Sequence, residues 1–131
     1  MKCLDTYALV EINNGNPKFA DLLNEDMVIT DLTFAEFYGQ MFRKYDRKTA
    51  DYWHRKLAFF CRPASREILL KAVIYRIEHS KEDLSFFDCI GYIYAKENKF
   101  IFVTGGKAFK NKEGMTVLAS ERILVGFGRE R

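Results

Sequence analysis

Three carboxylates stand where chemistry can use them. Asp5 closes the apolar run Lys2-Cys-Leu4, Glu36 lies within Leu32-Thr-Phe-Ala-Glu-Phe37, and Asp88 lies within Leu84-Ser-Phe-Phe-Asp88. Each has a plain structural use. Asp5 can cap a following helix, and Thr33-x-x-Glu36 and Ser85-x-x-Asp88 both match the capping-box pattern. Their neighbours argue for more. Glu36 is flanked by Phe34 and Phe37, and Asp88 by Phe86, Phe87, Cys89 and Ile90. A carboxylate buried without a partner would rather take up a proton, and several together repel unless a cation neutralises them. Hard oxygen donors with few histidines suit Mg2+ or Mn2+ rather than zinc or copper. Such an ion polarises a phosphoryl oxygen and lowers the pKa of a bound water.

The elements that must position these acids follow from the pattern of the chain. A short strand at 2–4 ends at Asp5, a helix follows from Thr6 to Ile12, and a second short helix runs from Lys18 to Leu23. A strand at 27–29 leads to a helix from Thr33 to Tyr45, with Phe34, Phe37, Tyr38, Met41 and Phe42 at three- and four-residue spacing. Asp46 caps a helix running to about Phe60, with Ala50, Trp53, Leu57 and Phe60 on its apolar face. After Pro63, Ser65 opens a helix to His79 with Leu69, Ala72 and Val73 inward. Ser85 opens a helix apolar on most sides, hence buried. Phe100-Ile-Phe-Val103 is a continuous apolar strand, the mark of a parallel strand covered on both faces. A further strand is expected at 116–118, and the tail from Glu121 to Arg131 reads as an extra edge strand or a docking arm.

Strands alternating with helices predict an α/β fold with a central, mostly parallel sheet, in which chemistry gathers at the carboxyl ends of the strands. Asp5 and the loop at Thr104-Gly-Gly106 should share that edge. At 131 residues the chain reads as one domain, 1–131, with about 119–131 as a C-terminal extension.

The order Asp5-Thr-x-Ala-Leu9, Thr33-x-x-Glu-Phe37, Leu84-Ser-Phe-x-Asp88 and Val103-Thr-Gly-x-Lys-x-Phe109 resembles the PIN domain, in its VapC-type toxin ribonuclease subgroup. The resemblance covers the chain from Lys2 to about Leu118. It implies a three-layer α/β/α sandwich and a Mg2+- or Mn2+-dependent endoribonuclease. Asp5, Glu36 and Asp88 match the family's acidic metal ligands, and Thr6 and Thr104 match positions that brace them. The departure is Gly106, where the family usually carries an acid. That puts a second metal and a well-placed attacking water in doubt. The implied partners are an RNA substrate, a second copy of the chain and a small antitoxin protein.

Two other readings stand beside this one. A degenerate PIN domain would bind RNA or protein without cutting it, as Gly106 favours; an unrelated α/β domain would use its three acids only as caps. Other chemistries are poorly supplied. The three cysteines, Cys3, Cys61 and Cys89, form no CxxC pair, so zinc is not expected. His54 and His79 stand in no nucleophile motif. Gly105-Gly106-Lys107 lacks the spacing of a phosphate loop. A phosphatase of the haloacid dehalogenase type would want an acid at Tyr7. The basic residues Arg43, Lys44, Arg47, Lys48, Arg55 and Lys56 read better as a solvated helix face, mixed with Asp46 and Asp51, than as phosphate contacts. A net charge of +3 permits nucleic acid without demanding it. No signal peptide and no membrane-spanning run are seen, and the reduced cysteines fit a cytoplasmic protein.

Overall fold

The computed structural model describes residues 1–105, 115–117 and 123–125. The strands are β1 (Lys2–Leu4), β2 (Met27–Thr30), β3 (Cys61–Arg62), β4 (Ile101–Thr104), β5 (Met115–Val117) and β6 (Ile123–Val125). The helices are α1 (Thr6–Asn13), α2 (Pro17–Ala20), α3 (Asp31–Lys44), α4 (Arg47–Leu57), α5 (Arg66–Glu78) and α6 (Phe86–Asn98). The strands form one sheet in the order β3-β2-β1-β4-β6-β5. β3, β2, β1 and β4 run parallel, while β6 pairs antiparallel with both β4 and β5.

Alternation along the strands divides the interior in two. Leu4, Ile29 and Val103 face the helices α1 to α4, where they meet Leu9, Phe37, Met41, Trp53 and Leu57. Their strand neighbours Cys3, Val28 and Phe102 face α5 and α6, where they meet Ala72, Cys89, Ile90 and Tyr92. The result is the expected α/β/α sandwich. Cys3 and Cys89 are fully buried, and all three cysteines are free thiols. Burial pushes the Cys3 thiol far up, so it behaves as a small hydrophobe. No described helix is long and apolar enough to cross a membrane.

Several elements differ from the sequence reading. α3 starts at Asp31, because the Thr30 hydroxyl, two residues after Val28, accepts from the Thr33 backbone N–H at 3.0 Å. The Thr33–Glu36 capping box is therefore not formed. α4 stops at Leu57, and a 3₁₀ turn over Ala58–Phe60 feeds the two-residue strand β3, too short to show any alternation in sequence. The second short helix divides into α2 and a 3₁₀ turn at Asp21–Asn24. Val73, expected inward, is 39% exposed. The tail does supply a strand, but β6 lies inside the sheet and β5 takes the edge.

Thr30→Ala should lower stability by about 1–2 kcal/mol in urea unfolding, the usual cost of a lost cap. Glu36→Gln should leave metal-free stability essentially unchanged or higher. An equal loss for both would restore the capping role to Glu36.

Candidate metal centre

All three acids come from the edge where β1 and β4 end and α1, α3 and α6 begin or make their first turns. Asp5 directly follows β1, and its backbone N–H donates to the Val103 carbonyl at 3.1 Å, tying the end of β1 to β4. Its side chain caps α1, with Oδ1 accepting from the Ala8 N–H at 2.9 Å. The Thr104 side chain at the end of β4 also hydrogen-bonds to the Asp5 carboxylate. Thr6, the first residue of α1, donates its hydroxyl to the Glu36 carboxylate, which reaches it from the second turn of α3. Asp88 sits in the first turn of α6, where Oδ2 accepts from the Ser85 N–H at 3.1 Å and the Asp88 N–H donates to the Ser85 hydroxyl at 3.0 Å. That capping box was legible in the sequence and is formed.

Among the described residues, the charge at the site is of one sign. Asp5 is only 4% exposed, and burial raises its carboxyl to about 7 against the hydrogen bonds from Thr104 and Ala8. The charges that act on it are those of Asp88 and Glu36, which raise it further. Burial likewise raises Glu36, opposed by the hydrogen bond from Thr6 and assisted by the charge of Asp88. Among the described residues, no three His, Cys, Asp or Glu side chains stand close enough together to hold a metal ion. Each carboxylate is instead held by its own hydrogen bond, within electrostatic reach of the others. Among the described residues the buried Asp5 carboxylate has only anions as charged neighbours, and oxygen-only donors suit Mg2+ or Mn2+.

Thr6 and Thr104, the two candidate bracing residues, each hydrogen-bond to one acid, Glu36 and Asp5 respectively. Gly106, Lys107 and Phe109, the end of the fourth motif, lie outside the described residues. The two histidines serve packing: His54 lies against Phe34 and Tyr38, and His79 stacks on Tyr75 with ring centroids 3.9 Å apart. The basic residues of α3 and α4 are exposed, with Arg47 pairing Asp51 at 3.6 Å and Lys44 lying over the Tyr45 ring.

One contact escaped the sequence reading. The ring of Tyr7, between Thr6 and Ala8, lies so close over Gly105 that a Cβ at 105 would stand 1.9 Å from Tyr7 Cε1. Gly105 follows Thr104 directly, so an aromatic ring overlies the loop that leaves the acidic edge. The two residues are almost one hundred positions apart, and no local pattern signals their meeting.

The sequence model of the PIN domain matches residues 2–115. None of the curated proteins matches the chain. Among solved structures, a toxin-antitoxin complex from Klebsiella pneumoniae aligns over 86% of this chain and 92% of its own, at 19% identity and a TM-score of 0.69. VapC20 of Mycobacterium tuberculosis, described as a sarcin-ricin loop cleaving toxin, aligns over 76% and 85%, at 13% identity and a TM-score of 0.65. FitAcB from Neisseria gonorrhoeae aligns over 76% and 84%, at 20% identity and a TM-score of 0.55. At these identities the likeness is one of fold.

Proposed function

The chain belongs to the PIN domain family, and on that premise we propose that it is a Mg2+- or Mn2+-dependent endoribonuclease acting as the toxin of a toxin-antitoxin pair. The observation that supports this best is the buried Asp5 carboxylate, whose charged neighbours are Glu36 and Asp88. Asp5, Glu36 and Asp88 would hold the ion. When bound, it supplies Lewis acidity toward a phosphodiester and lowers the pKa of a bound water.

The protein's own residues do the positioning. Thr104 and the Ala8 N–H fix the two-sided hold on Asp5, Thr6 aims Glu36, and Ser85 leaves one Asp88 oxygen free of the capping box. Five elements thereby bring the acids to one edge, and the three carboxylates would draw closer together around an arriving cation. The toxin-antitoxin complex among the structural neighbours supports a small antitoxin protein as a partner.

Gly106 supports a second reading, a PIN domain that binds without efficient cleavage, because glycine offers no carboxylate where the family usually has one. Both readings are tested by incubating a structured RNA with the protein and Mg2+ or Mn2+, beside a thermal-shift titration with the metal alone. Slow cleavage that accelerates in Gly106→Asp, with metal-induced stabilisation of both proteins, is the expected result. RNA binding without cleavage in either protein would favour the second reading. Two inert proteins that neither metal stabilises would remove the nuclease reading.

A further inference from the structure

Tyr7 is the one exposed residue of α1. The residues on either side of it are both engaged with the acids. The Thr6 hydroxyl donates to Glu36, and the Ala8 N–H donates to Asp5. The backbone between them is therefore held beside the candidate metal centre, with the Tyr7 Cα no more than about 7 Å from that of Asp5. Thr6, Ala8 and Leu9 are buried, whereas Tyr7 is 38% exposed. Its ring is nevertheless steadied from two sides. It lies over Gly105, the residue after Thr104, and it meets Phe19 at a centroid distance of 6.2 Å and an interplanar angle of 57°. The ring thus bridges α1 and the end of β4, the two elements whose groups hold the Asp5 carboxylate. An aromatic side chain has only two torsions to lose, so a ring held in this way offers a rigid contact surface at low entropic cost.

We propose that the Tyr7 ring is a stacking platform for an unpaired RNA base beside the phosphodiester at the acidic edge, and that it directs this edge to single-stranded RNA. The inference rests on the ribonuclease reading and adds to it a substrate-binding residue and a substrate form. Charge is the second argument for it. Among the described residues, the charged groups acting on Asp5 and Glu36 are acids. Three carboxylates outweigh the two positive charges of one Mg2+ or Mn2+, so this edge offers an RNA backbone little net attraction. A strand lying here must gain affinity from an uncharged contact. A base laid on an aromatic ring supplies one, and it suits many sequences because every base has a π-face. A base inside a duplex is already stacked between its neighbours, whereas an unpaired one can be splayed out onto an aromatic side chain.

Two substitutions separate the ring from mere bulk. Tyr7→Leu keeps an apolar side chain against Phe19 and removes the π-face, while Tyr7→Phe keeps the ring. Binding of a short single-stranded RNA in Mn2+ is read by fluorescence anisotropy on rapid mixing, before cleavage sets in. Tyr7→Leu should weaken it about 5- to 150-fold, the loss of one stacked base, and Tyr7→Phe should match the wild type. Mn2+ alone should raise the melting temperature of all three proteins equally, since the acids are untouched. The same RNA annealed to its complement should bind the wild type and Tyr7→Leu alike. Walking 5-iodouridine along the single strand locates the contact. Near-ultraviolet light should join one position of the RNA to the ring at Tyr7, again in Tyr7→Phe, and not in Tyr7→Leu. Should Tyr7→Leu fail to fold, the cross-link in the other two proteins decides. A folded Tyr7→Leu protein that binds the single strand as tightly as the wild type overturns the inference. So does equal weakening in Tyr7→Phe, or cross-linking confined to other side chains; in each case cleavage by the wild type leaves the ribonuclease reading standing. A wild type that Mn2+ does not stabilise and that neither binds nor cuts RNA overturns both.

Discussion

Asp5→Asn should make the metal-free protein more stable at pH 7.5 while removing metal binding and RNA cleavage. The sign follows from burial. The Asp5 carboxyl is raised from its ordinary 3.8 to about 7 in the folded chain, so between those values the folded state holds a proton that the unfolded chain has released. The metal-free fold therefore loses stability as pH rises from about 4 to about 7, and above that it bears the full cost of the buried charge. Three units at about 1.4 kcal/mol each set an upper bound of about 4 kcal/mol; relaxation around the charge should leave roughly half of it. Asparagine escapes this cost yet keeps an oxygen for the Ala8 N–H, and it is as good a helix cap as aspartate. Urea unfolding in EDTA at pH 5 and 7.5 reads the effect. The wild type should be the more stable at pH 5, and Asp5→Asn should lie above it at pH 7.5 with little pH dependence. Added Mn2+ should reverse the order by stabilising only the wild type. An Asp5→Asn variant that is less stable at both pH values would mean that the carboxylate serves the fold alone.

Asp5, Glu36 and Asp88 stand out as candidates because each has a local address: the end of an apolar strand, or the opening turns of a helix flanked by phenylalanines. The role of Glu36 was only half legible. Thr30 precedes α3 and Thr33 lies in its first turn, and sequence alone does not say which of the two hydroxyls takes the capping role. Once Thr30 takes that part, Glu36 is free to meet Thr6, a contact thirty positions away. The direction of α5 was misread for a different reason. A helix apolar all round has no periodicity to mark its inward side, so Ala72 was placed correctly and Val73 was not. The strand in the tail was legible as a strand, whereas its insertion between β4 and β5 depends on pairing that composition does not encode. In each case what failed was a choice between locally equivalent options that only long-range packing decides.

The meeting of Tyr7 and Gly105 is the purest case of such long-range packing, and it gives the second large expected effect. Gly105→Ala should destabilise the protein by about 1–3 kcal/mol, the range for forcing atoms into a filled space. A methyl group 1.9 Å from Tyr7 Cε1, and 2.4 Å from Cδ1, is far too close for the neighbours to yield by tenths of an ångström. Either the ring swings out or the backbone at 104–105 shifts. The ring is already 38% exposed and leans on Phe19 at a centroid distance of 6.2 Å, so swinging forfeits that packing. Shifting the backbone would instead disturb Thr104, whose hydrogen bond steadies the Asp5 carboxylate. A double-mutant cycle separates the ring from the backbone: in a Tyr7→Ala background, Gly105→Ala should cost less than about 0.5 kcal/mol. An equal cost in both backgrounds would place the requirement for glycine in the backbone and not in the ring. The pH dependence distinguishes the two ways of yielding. If the ring moves, the loss of stability between pH 5 and 7.5 keeps its wild-type size, because the hold on Asp5 is intact. If the backbone moves, weakening of the Thr104 bond raises the Asp5 carboxyl further, and stability falls more steeply across that interval.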